Sequence, residues 1–171
     1  MTITELISTD GIAINPEVSD RDEAFGLLID LHVGLGNVTD PEAYKKSVYE
    51  REAKGSTALG MGISVPHAKS AAVRTAGVTA MTSLTGIDCN ATDGVKSRLF
   101  FMIAAPDGEA DLHLDILACL MNLLMDQDLV KKLTEAGSPD EFVSLIKEKE
   151  KSDIVPEKEK KSFFKGFRKQ K

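Results

Sequence analysis

Two short apolar runs near the middle of the chain, Val78 to Leu84 and Ser97 to Ala104, limit its possible folds more than any other feature. Each is rich in β-branched or bulky apolar side chains and is bounded by Gly77, Gly86, Gly94 or Pro106, so both read as strands. The segment between them, Thr85 to Gly94, is turn-like at each end and joins them. Helical spacing appears on both sides. Ala24, Leu28, Leu31 and Leu35 follow the possible caps Ser19 and Asp20, and Gly34 and Gly36 mark an end. Asp40-Pro41-Glu42 supplies a cap, a first-turn proline and an acid for a second helix reaching about Arg51. On it Tyr44, Val48 and Arg51 fall at i, i+4 and i+7, which places Arg51 on the buried-facing side. After Asp111, the stripe His113, Leu117, Leu120 and Leu124 predicts a helix with a broad apolar face and His113 in its first turn. Two shorter helices follow, Asp128 to Ala136 and one opened by the capping box Ser138-Pro139-Asp140-Glu141. At 171 residues, the chain is expected to form one compact mixed domain.

The longest apolar stretch, Leu99 to Ala105, stops at Pro106, far short of the roughly 18 residues that span a bilayer. A membrane-embedded domain is not expected. Met1-Thr2-Ile3-Thr4-Glu5 lacks a cationic start and an apolar stretch, so a cytoplasmic location is expected. Cys89 and Cys119 form neither a metal-spaced set nor a disulfide framework, and both are expected to be reduced. The net charge is −6, unevenly spread. From Lys147 onward there are 10 Lys and Arg against five Asp and Glu, leaving 11 against 22 in the residues before it. An acidic body repels nucleic acid and suits a basic protein partner. Residues 148–171, rich in Lys and Glu, read as a charged linker or tail after a domain of residues 1–147. The stretch Phe163 to Lys169 pairs aromatics with cations, suited either to an anionic membrane surface or partner, or to a mobile tether.

Several chemistries lack their parts. There is no GxxxxGK[ST] loop, HExxH, GxSxG or CxxC, and Gly60-Met61-Gly62 is followed by Val65 where a dinucleotide fingerprint needs glycine. Neither a nucleotide, a metal nor another cofactor is expected. Three histidines remain. His32, beside the first helix's apolar stripe, reads as a half-buried structural residue. His67 follows Pro66 at the end of a Gly-rich segment, where backbone can approach an anion closely. His113, at a helix N-terminus, is disfavoured as imidazolium and is suited either to donating to a phosphoryl oxygen or to satisfying the core. Arg51 has the forked donors that match phosphate, or that form a structural salt bridge. Together His67, His113 and Arg51 would make a phosphohistidine centre.

The run Ser56-Thr57-Ala58-Leu59-Gly60-Met61-Gly62-Ile63-Ser64-Val65-Pro66-His67-Ala68-Lys69 closely resembles the signature of fructose/mannitol-type enzyme IIA domains of the bacterial phosphoenolpyruvate-dependent sugar phosphotransferase system. The resemblance continues through Gly86-Ile87-Asp88, Asp93-Gly94, Leu99 to Gly108, and His113-Leu114 with Leu117-Ala118. It implies an α+β fold, a three-layer α/β/α sandwich around a mixed β-sheet. It further implies His67 as phosphoryl acceptor, His113 as second active-site histidine, Arg51 as phosphate support, and Thr57 as a loop residue that helps position the phosphate. The implied donor is the phosphocarrier protein HPr, and the implied acceptor is a cysteine of enzyme IIB, with the membrane component IIC reached through it. No IIB-type cysteine loop surrounds Cys89 or Cys119, so the resemblance covers the IIA part alone. The blocks around Gly86 and Ala104 are most similar to the fructose branch. A regulatory, nitrogen-related IIA-like module is the alternative.

Overall fold

The computed structural model describes residues 1–109 and 111–154. After two single-turn helices at Ile3–Glu5 and Thr9–Gly11 come a short strand β1 (Ile12–Ala13) and the helices α1 (Arg21–Gly34) and α2 (Pro41–Ala53). Four strands follow: β2 (Ala58–Gly60), β3 (Ile63–Ser64), β4 (His67–Ser70) and β5 (Gly77–Ile87). The chain continues through β6 (Ser97–Pro106), α3 (Leu112–Leu124), α4 (Gln127–Thr134) and α5 (Pro139–Asp153). The sheet runs β1-β5-β6-β3-β2, with β4 following β3 along the same edge of β6. It is mixed: β5 and β6 are antiparallel, whereas β3 and β4 run parallel to β6.

Side chains alternate across a strand, and here both faces are covered. Leu99, Phe101 and Ile103 of β6 pack with Ile116 and Leu120 of α3, Leu133 of α4, and Phe142 and Ile146 of α5. Phe100, Met102 and Ala104 face the other way, onto Phe25 and Leu28 of α1 and Tyr44 and Val48 of α2. Two-sided burial is why β6 reads as an unbroken apolar run from Leu99 to Ala105. The result is an α+β domain of three layers, as expected.

Four local expectations need correction. β5 extends through Gly86 to Ile87, with an irregularity in its pairing after Thr82, so it takes in the first residues of the expected turn. His32 is fully buried rather than half-buried. On α2 the residue completing the buried stripe of Tyr44 and Val48 is Glu52, while Arg51 remains partly exposed. Finally, α5 carries helix over Glu148–Asp153, where composition reads as linker. Its partners lie far away in sequence: Glu150 accepts from the Ile3 N–H at 2.5 Å and from the Thr4 hydroxyl at 2.6 Å, and Lys149 pairs with Asp126 at 3.3 Å. The stretch Phe163 to Lys169 lies outside the described residues. No described helix is long and apolar enough to cross a membrane.

Candidate functional site

β6 is the central strand, and β4 starts beside Ile103, where His67 pairs with it. The Pro66 carbonyl accepts from the Ile103 N–H at 3.1 Å, which fixes the backbone just before the histidine. α2 ends next to this point and delivers Arg51, while α3 begins there and delivers His113. These three side chains line one cleft of about 550 Å³. Separate expectations thus converge on one place, built from the start of a strand, the end of one helix and the start of another.

His67 is half-buried, and its Nδ1 lies 2.8 Å from the Val65 carbonyl oxygen. A carbonyl only accepts, so the proton of this bond sits on Nδ1 and the lone pair of the neutral ring sits on Nε2. Burial is the main influence on the ring and lowers its pKa below the ordinary 6.5. The bond to Val65 acts in the opposite sense, the nearby Arg51 and His113 lower the value further, and Glu52 raises it. An imidazole of this kind is neutral at physiological pH and holds a nucleophilic nitrogen.

Arg51 donates from Nη1 to the Gly55 carbonyl at 3.0 Å, a bond that holds one edge of its guanidinium at the end of α2. Among the described residues it pairs with no carboxylate. The structural salt bridge is therefore not what it makes, and its remaining donors are available to an anion. His113 occupies the first turn of α3, and its Nδ1 is buried with no hydrogen-bond partner among the described residues. A buried polar atom of this kind usually meets a partner, so it marks a place that suits a polar ligand. Lys54 and Lys69 also line the cleft, together with Glu50 and Asp107. Cations therefore outnumber carboxylates at this point of an otherwise acidic body, an electrostatic setting that favours a phosphoryl group.

Two expectations about the loop before His67 are corrected. Thr57 is not on the cleft wall: it is 4% exposed, and its hydroxyl donates to Glu52 Oε2 at 2.6 Å while its N–H donates to Glu52 Oε1 at 3.0 Å. Nor do the glycines bring backbone to the cleft. Gly60, Met61 and Gly62 all have positive φ and form the turn between β2 and β3, where Asp93 accepts from the Met61 N–H at 2.8 Å. His32 takes no part: its Nε2 donates to the Met102 carbonyl at 3.1 Å and its Nδ1 accepts from Asn37 at 3.1 Å. Residues missed from sequence are Glu52, Lys54 and Lys69. Glu52 could have been found, because it falls at i+8 from Tyr44 on an apolar stripe, a place where a carboxylate needs a specific partner. Lys69 shares the strand face of His67 by the two-residue period.

A three-layer domain that opens two imidazoles and a guanidinium with no carboxylate partner among the described residues into one cleft belongs to a class whose site suits an anionic group. Comparison gives the family. Residues 5–149 match the model described as phosphoenolpyruvate-dependent sugar phosphotransferase system, EIIA 2, and the chain belongs to that family. A fructose-specific EIIA component of Haloferax volcanii is 38% identical over 137 residues, 80% of this chain and 87% of that protein. The fructose-specific EIIABC component of Bacillus subtilis is 35% identical over 151 residues, covering 88% of this chain. This chain spans only 24% of that longer protein's length. Among solved structures, the mannitol enzyme IIA of Escherichia coli, in its complex with phosphorylated enzyme IIB, superposes with a TM-score of 0.72. That match has 26% identity and covers 82% of this chain and 96% of the other.

Proposed function

We propose that this chain is the phosphoryl-carrying IIA component of a sugar phosphotransferase system, with His67 as the carrier. The observation that carries the reading is the cleft itself: a neutral imidazole with its lone pair on Nε2, faced by Arg51 and His113. Phosphoryl transfer depends mostly on positioning and on stabilising charge over the equatorial oxygens. In the first step His67 Nε2 attacks the phosphorus carried by HPr; the new P–N bond forms as the HPr phosphohistidine P–N bond breaks. Arg51 supplies a fixed positive charge, and His113 supplies a hydrogen-bonding imidazole. In the second step a cysteine thiolate of enzyme IIB attacks, and an S–P bond forms as the His67 Nε2–P bond breaks and returns His67 to its neutral state. The membrane component IIC is reached through IIB, and the carrier works in the cytoplasm at the inner face of the membrane. Two relatives bear fructose in their names, which supports fructose or a similar sugar as the substrate of the whole system.

The test is a relay assay with phosphoenolpyruvate, enzyme I and HPr, followed by a fructose-type IIB protein. The wild-type chain takes up label and passes it to the IIB cysteine, whereas His67→Ala takes up none. A labelled chain that passes nothing to IIB would favour the regulatory alternative.

A further inference from the structure

His67 is held on two sides. On one side β6 fixes the Pro66 carbonyl and pairs with the strand that begins at His67. On the other a chain of hydrogen bonds runs from α2 to the imidazole. Both carboxylate oxygens of Glu52 accept from Thr57, one from its N–H and one from its hydroxyl. The Thr57 carbonyl then accepts from the Val65 N–H at 3.0 Å. The Val65 carbonyl accepts from His67 Nδ1 at 2.8 Å. Thr57 and Val65 are each bonded through both N–H and C=O, so the two peptide planes that meet at each Cα are held, and with them the direction of the next carbonyl.

We propose that Glu52 is a positioning residue for phosphoryl transfer: through Thr57 and Val65 it aims the Val65 carbonyl at Nδ1 and so keeps His67 in the tautomer whose Nε2 is free to accept phosphorus. The inference rests on the phosphocarrier reading for its kinetic consequence, but its structural content does not. A carboxylate only 8% exposed and engaged through both oxygens is costly to bury, and apolar side chains in place of both it and Thr57 would fill the same volume without that cost. What the carboxylate adds is direction. Its location fits this role: Arg51, which faces the cleft, and Glu52, which faces the loop, are adjacent in the last turn of α2. One helix end therefore places the cation that meets the phosphoryl group and the anchor that orients the nucleophile.

The experiment uses the 171-residue chain, uniformly labelled with ¹⁵N, and reads the His67 ring nitrogens by long-range proton–nitrogen NMR at neutral pH. Phosphoryl acceptance from HPr is timed in parallel. In the wild type, Nδ1 is expected to be pyrrole-like and Nε2 pyridine-like. Glu52→Met fills the volume but accepts nothing, and it should shift the ring toward a mixture of tautomers and slow acceptance about tenfold. Glu52→Gln still accepts from the Thr57 N–H through its amide oxygen and should keep the wild-type ring signals. Thr57→Val removes one of the two links and should shift the signals in the direction of Glu52→Met by a smaller amount; it decides the question if Glu52→Met does not fold. Wild-type ring signals in Glu52→Met, or in Thr57→Val where that variant decides, would overturn the proposal. A wild-type chain that never takes up label at His67 would instead overturn the phosphocarrier reading and leave the tautomer result standing.

Discussion

Arg51 spends one N–H on the backbone of its own helix end and pairs with no described carboxylate, so its remaining donors can meet charge developing on a transferred group. Removing an oriented donor of this kind typically costs about 100-fold in rate. Arg51→Ala is therefore expected to fold with a denaturation midpoint near that of the wild type and to accept phosphoryl from HPr about 100-fold more slowly, measured in single-turnover experiments. An unchanged rate would remove Arg51 from the mechanism. His32 makes a contrasting prediction. Burial drives its pKa from 6.5 down to about 4, with the bond to Met102 opposing the shift. The neutral ring is what the fold holds, so its contribution is complete above pH 6.5 and is lost as pH falls from there toward 4. The unfolded chain binds the proton first in that window, and the loss amounts to roughly 3 kcal/mol. Denaturation at pH 7.5 and 4.5 should show a steeper loss of stability in the wild type than in His32→Gln. Parallel losses would contradict this. His32 and His67 differ little as letters in a sequence; what separates them is that both His32 nitrogens are engaged inside the core, whereas His67 engages one and offers the other.

At the scale of elements, what was legible followed from periodicity and caps. Asp40 and Ser138 both accept from the third helical N–H, as the cap patterns imply. β6 is apolar from Leu99 to Ala105 because helices cover both faces there. The missed pieces were those decided by distant partners. Glu148 to Asp153 lack a local reason to be ordered, and Glu150 finds Thr4 only after the chain has folded. The glycines around Met61 were legible as backbone freedom but not as to purpose. Gly60 has φ of +85°, and a Cβ there would lie 2.8 Å from Asp93 Oδ2. Gly60→Ala should therefore destabilise the domain by about 1–2 kcal/mol in chemical denaturation while leaving phosphoryl acceptance close to that of the wild type. Slower acceptance without loss of stability would restore the idea that this backbone approaches the phosphate.

For the whole molecule, the sheet brings together residues 51, 67 and 113, which nothing in their spacing joins. β4 lies along β6 at the point where α2 ends and α3 begins, and that topology makes three separate side chains one site. The resemblance implies these three residues, assigns Thr57 to the phosphate and says nothing of Glu52. Side-chain bonding reverses the emphasis, with Thr57 turned inward to Glu52. The measurement closest to the central claim is the position of the phosphorus itself. The ¹⁵N-labelled chain, phosphorylated through enzyme I and HPr, should show phosphorus–nitrogen coupling at His67 Nε2 and nowhere else. Coupling at His67 Nδ1 or at His113 would contradict the account.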